Sequence, residues 1–404
     1  VYDGKQRGCV VRDAGKGVID RNFIYCNAGA GVSVESASTP LVIDNKLYDG
    51  KGAGIQVTNH GRGDIQGNEI YGNQDSGISV DTHSTPLITG NKVRDGGGYG
   101  VYYATGGGGV CKDNFIYANG RGGVAVCTKA NPVCSNNAIQ EGRSAGIHVF
   151  NQGQGTFTEN VCSNNVGPGV LLESDSNPII IKNKLCNGRT EGVKALATAG
   201  GLIEENEIFG NEAADVHLER TGPKMRLVNN TITAGAVVGV YVTDGGEATM
   251  TGNTIIGNAH SGVEVTNGGY INLQGNTISG GKGCGVLFSE GASGAVGGNT
   301  FANNASCGLQ VTTKAFPAVK GNTFGPGSVG ACVSSGGLGD FSENKFSGHT
   351  EAGVHITGEG SAPTLTKNDV SANIGCGFSV DLKALGVIEG NDIHHNEGAG
   401  VRVA

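Results

Sequence analysis

Apolar side chains recur along this chain at fixed offsets from a recurring asparagine. The asparagine stands at Asn22, Asn45, Asn68, Asn91 and so on to Asn391, and of the sixteen intervals thirteen are 23 residues, two are 24 and one is 22. Three residues before it the side chain is always apolar, as at Ile19, Val42, Ile65 and Cys111. Two and ten residues after it the same holds, as at Ile24, Leu47, Val32 and Ile55, and position +12 is apolar except at Ser334. Locally these columns read Asn-x-Ile-x and Gly-Val-x-Val, a period of two that predicts short strands and no helical turns.

Three short strands per repeat can bury those columns only by stacking repeat on repeat, each strand pairing in parallel with its equivalent one coil on. Self-similarity at one short period from end to end marks a solenoid. A leucine consensus is absent and the repeat is too short for a propeller blade. The expected fold is therefore all-β, a right-handed single-stranded parallel β-helix of about 17 coils of 23 residues, right-handed because parallel connections overwhelmingly are. An asparagine at one bend of every coil can pass hydrogen bonds from coil to coil. Glycine stands nine residues after it in fifteen of the seventeen coils, with Asp215 and Ala331 the exceptions. That glycine suits either positive φ or a close approach between coils.

A second period overlies the first. Five residues after the ladder asparagine the chain alternates Asn27, Gly50, Asn73, Gly96, Asn119 and Gly142, so the repeating unit is a pair of coils. Glycine at 74 of 404 residues with only nine prolines supports many tight turns and excludes collagen. With 28 basic against 36 acidic residues the net charge of −8 argues against nucleic acid as partner. No apolar run is long enough to span a membrane. One β-helix domain, residues 1–404, accounts for the chain. It opens and closes in mid-coil, as a fragment of a longer protein would, and end-to-end self-association is expected of uncapped strand edges. The eleven cysteines form no CxxC pair. Most fall in core columns, which favours a reducing, intracellular compartment. Cys284 and Cys307 lie one repeat apart, where a disulfide is geometrically conceivable.

Ser84–Gly96, reading Ser-Thr-Pro-Leu-Ile-Thr-Gly-Asn-Lys-Val-Arg-Asp-Gly, alternates with Gly61–Asn73, reading Gly-Arg-Gly-Asp-Ile-Gln-Gly-Asn-Glu-Ile-Tyr-Gly-Asn. This pattern resembles the β-helix domain of the F-box only protein 11 family and related right-handed β-helix repeat proteins. Such repeats also occur in carbohydrate-binding proteins and sugar hydrolases. The resemblance implies the fold and, from the F-box family, a substrate-recognition module of a ubiquitin ligase.

Candidate chemistry has to be read from outward columns. Three residues after the ladder asparagine stand Tyr25, Tyr48, Tyr71, Arg94 and Tyr117, with Tyr2 at the equivalent place in the opening half-coil. These residues form either a self-stacked column or a binding ridge. A threonine column, Thr231 to Thr323, reads as cross-strand hydrogen bonding. Lys194, His217 and Tyr241 follow one another in the outward position of Gly-Val-x-Val. They could serve as neutraliser, base and acid for cleavage of an acidic polysaccharide. His148 and His355 have no special company in the sequence. No metal or cofactor motif is present. The expectation is a non-catalytic interaction domain that binds a protein or polysaccharide partner through the tyrosine ridge. The alternative is a secreted or periplasmic polysaccharide-processing β-helix (lyase, epimerase or hydrolase) or carbohydrate-binding protein.

Overall fold

The computed structural model describes residues Val1–Ala404, and every regular element in it is a strand, most of them three residues long. The strands fall into three parallel sheets. The first holds the strand before each ladder asparagine, the second the strand after it, and the third the Gly-Val-x-Val strand. No helix is long and apolar enough to cross a membrane. The chain divides into two compact units, Val1–Glu207 and Ile208–Ala404.

In Val1–Glu207 equivalent positions pair one coil apart. Val42 lies opposite Ile19 and Ile65 in the first sheet, Leu47 opposite Ile24 and Ile70 in the second, and Ile55 opposite Val32 and Ile78 in the third. All these apolar residues except Ile19 are 2% exposed or less, so the expected columns are the core. Cys111, Cys134 and Cys162 stand among them as small buried hydrophobes. The bends are made by residues of left-handed conformation just before each asparagine, such as Asp44 (φ 55°) before Asn45 and Cys26 (φ 54°) before Asn27. The asparagine then fixes the bend. Asn137 donates from Nδ2 to Asn160 Oδ1 (2.9 Å) and to the Cys111 carbonyl (2.9 Å), and its backbone N–H donates to the same Asn160 oxygen (3.0 Å). Each buried amide thus satisfies backbone groups that a bend would leave orphaned.

In Ile208–Ala404 the same plan is filled with larger side chains. Phe301, Phe324 and Phe346 stack inside the second sheet at 4.7 and 4.5 Å between ring centroids. The threonines from Thr231 to Thr323 pair in register along its outer face. Two irregularities of the sequence dissolve here. The coil from Asn322 to Asn344 is one residue short, so Ala331 and Val333, not Ser334, take the inward places opposite Leu309 and Val311. Gly330 is then the glycine of that coil. Asp215 is a true exception: it is fully buried, accepts a bond from Asn211 Nδ2 at 2.9 Å, and burial pushes its carboxyl up to about 7.

Close approach, and not positive φ, explains the repeated glycine. A Cβ on Gly54 would stand 2.4 Å from Ile70 Cγ2 and 2.7 Å from the Gly77 carbonyl oxygen.

Candidate functional site

The outer face of the third sheet in Val1–Glu207 carries one outward residue per coil at the centre of each strand. Tyr102, Ala125, His148 and Leu171 follow one another there in register. The coil between Tyr102 and His148 is stripped of bulk. Ala125 opposes Tyr102, and Gly122 opposes Tyr99. Neither Gly122 nor Ala125 has a side chain that would block the path, and Tyr99 reaches His148 across that coil, 49 residues away in sequence.

Tyr99 Oη lies 3.0 Å from His148 Nδ1, and His148 Nε2 lies 2.7 Å from Glu173 Oε2. With Glu173 ionised, Nε2 carries the imidazole proton and donates it to the carboxylate, which leaves Nδ1 to accept from the Tyr99 hydroxyl. Phe150 stacks on the imidazole at 4.4 Å and fixes its plane. The line Glu173, His148, Tyr99 has the logic of an orienting carboxylate, a base and an activated hydroxyl.

Tyr99 faces a cleft of about 350 Å³ lined by Asp75, Ser76, Gly98, Tyr99, Tyr102, Arg121 and Phe150. Burial pushes the Tyr99 phenol up, with the nearby Arg121 pulling it back. Tyr102, its ring 5.9 Å from that of Tyr99, is raised by burial and by its hydrogen bond with Cys127 Sγ (3.2 Å). Both phenols are therefore neutral at ordinary pH. Arg121 is exposed at the rim, while Asp75 is engaged in capping the Ser76 N–H at 2.7 Å. No group of three His, Cys, Asp or Glu side chains stands at metal-ligand spacing.

The tyrosine ridge lies on the second sheet. Tyr2, Tyr25, Tyr48 and Tyr71 stack ring on ring at 5.1, 4.9 and 4.9 Å, with planes within 10° of parallel. Arg94 covers the last face, its guanidinium carbon 4.3 Å from the Tyr71 centroid, and bonds Glu69 at 2.9 Å. Tyr117 instead stacks on Phe115 at 4.5 Å, with Lys92 above it. The faces between successive rings are thus occupied by neighbours, and what the ridge presents outward is ring edges and hydroxyls.

Lys194 lies in the same unit, held by Glu191 at 2.8 Å. His217 and Tyr241 are neighbours in Ile208–Ala404, with ring centroids 5.2 Å apart. The two histidines that looked isolated are both engaged, which corrects the sequence reading. His148 has Tyr99 and Glu173, and His355 Nε2 lies 3.0 Å from Asp381 Oδ2. The sequence reading gave His148 no partner and missed Tyr99, which opens the strand Tyr99–Tyr103. The signal that could have found it is the paired loss of bulk at Gly122 and Ala125.

Among solved structures, a periplasmic alginate epimerase double mutant is 16% identical over 62% of this chain and 71% of that chain, with a TM-score of 0.48. The A-module of a mannuronan C-5 epimerase from Azotobacter vinelandii is 12% identical over 91% and 90%, at 0.45. A family PL6 alginate lyase is 9% identical over 98% and 94%, at 0.29. Likenesses this distant say nothing of what this chain acts on. No curated protein matches the sequence. The description "right handed beta helix region" matches residues 1–139, 128–277, 216–370 and 325–404, an overlapping series that runs the whole length, and the chain belongs to that right-handed β-helix family.

Proposed function

We propose that the protein is a β-helix enzyme that acts on a uronate-containing polysaccharide by removing the proton α to a sugar carboxylate. The observation that carries this reading is the relay Glu173, His148, Tyr99, at 2.7 and 3.0 Å, opening on a cleft with Arg121 at its rim. The α-proton of a carboxylate is a weak acid, so its removal needs a base and a cation that holds the developing enolate charge. The Tyr99 oxygen takes the proton as its own phenolic proton passes to His148 Nδ1, and the imidazolium formed is stabilised by Glu173. Arg121 holds the substrate carboxylate. Tyr102, a neutral phenol stacked beside Tyr99 in the cleft, gives its proton either to the leaving glycosidic oxygen, which is elimination, or back to the carbon, which is epimerisation.

Hydrolysis is served less well. It needs two carboxyl groups across the scissile bond, and the cleft has only Asp75, already bonded to Ser76. The interaction-module expectation rested on an open aromatic ridge and yields to this reading, because the ring faces there are taken by their neighbours. A polysaccharide partner is retained.

The test is to incubate the protein with mannuronan, guluronan and polygalacturonan in deuterated water. Ultraviolet absorbance then reports an unsaturated product and magnetic resonance reports deuterium at the α carbon. Either signal, lost in Tyr99→Phe, supports the proposal. Neither signal with any polyuronate, or full activity in Tyr99→Phe, overturns it.

A further inference from the structure

On the third sheet of Ile208–Ala404 three cysteines converge. Cys284 and Cys307 each lie two residues before Val286 and Leu309, which oppose one another, so the two cysteines stack in consecutive coils. Their sulfurs are 3.2 Å apart, and the residues are 5% and 2% exposed. Equivalent positions one coil apart are separated by about 4.8 Å, inside the roughly 4.4 to 6.8 Å between Cα atoms that a disulfide spans. Cys332 packs against the pair from the partly exposed side. Next to Cys332 in the outward column, in register with it, stands His355, whose Nε2 is held by Asp381 at 3.0 Å.

We propose that Cys284 and Cys307 form a dithiol site that closes to a disulfide between coils by exchange with a small-molecule disulfide, with Cys332 as the surface thiol that relays it. The solenoid makes this closure easy, because stacking already sets the two Cβ atoms side by side and no loop has to move. The thiol of Cys307 donates to the sulfur of Cys284, and Cys284 donates to Gln310 Oε1 at 3.1 Å. That first bond holds the Cys284 thiol below the usual range and the Cys307 thiol above it, so Cys284 is the readier thiolate. Burial puts the Cys332 thiol at about 11, so its proton has to be taken by a base. His355, oriented by Asp381, is the base at hand.

The exchange balances. The Cys332 thiolate attacks the small disulfide and releases one small thiolate. The Cys284 thiolate then attacks the Cys332 sulfur and releases the second. Finally the Cys307 thiolate attacks the Cys284 sulfur and frees Cys332. Two protons leave Cys284 and Cys307, the small disulfide is reduced to two thiols, and one bond links the coils.

The experiment equilibrates the full chain with graded ratios of oxidised to reduced glutathione, alkylates the remaining thiols and maps the peptides by mass. We expect a Cys284 to Cys307 linked peptide lighter by two hydrogens, with no glutathione retained. Cys332→Ser should slow its appearance by about tenfold or more without changing the end point. Cys284→Ser should trap glutathione on Cys332. Finding Cys284 and Cys307 free at every ratio overturns the proposal. An unchanged closure rate in Cys332→Ser, or no glutathione on Cys332 in Cys284→Ser, overturns the relay.

Discussion

The side-chain oxygen of Asn73 accepts the backbone N–H of Gly50 at 3.0 Å, and this bond explains why the repeat of the chain is two coils and not one. Asn73 also donates from Nδ2 to the Leu47 carbonyl at 3.1 Å, so one amide serves the bend of the coil before it. Glycine at the bend so served leaves this oxygen room, since a Cβ on Gly50 would stand 3.0 Å from Asn73 Oδ1; only near the end of the chain do residues with side chains, His349 and Asn373, receive the same bond. Asparagine and glycine therefore alternate. The same bond joins Gly96 to Asn119, Gly142 to Asn165 and, in the other unit, Gly281 to Asn304.

Alanine at the two kinds of glycine should cost different amounts. Gly50→Ala meets the end of an amide that can shift, whereas Gly54→Ala meets the Gly77 carbonyl and a core methyl that cannot. We expect about 1 kcal/mol for the first and about 3 kcal/mol for the second, the lower and upper ends of overpacking costs. Denaturant midpoints of the two variants check the order, and a costlier Gly50→Ala would refute the account of the two-coil period.

Asn137→Ala removes a buried amide whose Nδ2 donates to the Cys111 carbonyl and to Asn160 Oδ1 and whose Oδ1 accepts from the backbone N–H and the Nδ2 of Asn114. The partners left behind keep their desolvation cost, and the loss expected is about 1 to 3 kcal/mol. Equilibrium unfolding of this variant beside wild type is the measurement; equal stability would mean that water replaces the amide.

In the cleft, Tyr99→Phe and His148→Asn should each lower turnover by about 10² to 10⁴, the span of general acid–base contributions. Tyr25, Tyr48 and Tyr71 changed together to Ser should leave turnover unchanged, because the ridge lies on a different sheet. Breaking that stack should instead lower stability. The reverse pattern, with activity lost from the ridge variant while its fold survives, would move the site to the ridge.

Stability should respond to acid through His349. This residue takes the place of the second asparagine in its coil, is 1% exposed, and burial pushes its imidazole down from 6.5 to about 4. The folded state holds the neutral ring, so its contribution is present above pH 6.5 and is lost as pH falls toward about 4. His349→Asn restores the residue type usual at this bend. The stability difference between variant and wild type should therefore widen in the variant's favour across that window, as read by unfolding at pH 7, 6 and 5. A difference independent of pH would show that His349 protonates in the fold as readily as in the unfolded chain.

The sequence by itself determined the solenoid, its coil length, its parallel register and its core, because in such a fold the strand pairs and core columns join positions one repeat apart. A column of Ile, Val and Leu read down the repeats is therefore already the contact list, as Val42 between Ile19 and Ile65 illustrates. The asparagine ladder was legible for the same reason. What the sequence left open was settled by side-chain reach and by neighbours. Whether the tyrosine column stacks or stands open depended on ring orientation, and the rings lie parallel at 4.9 Å. Whether the glycine column answers to φ or to space depended on the Gly77 carbonyl beside Gly54. The Tyr99 to His148 bond skips a coil, so no column contains it. It exists because Gly122 and Ala125 leave room for a ring to lie across the coil between, and only the packed structure shows which absences of bulk make such room.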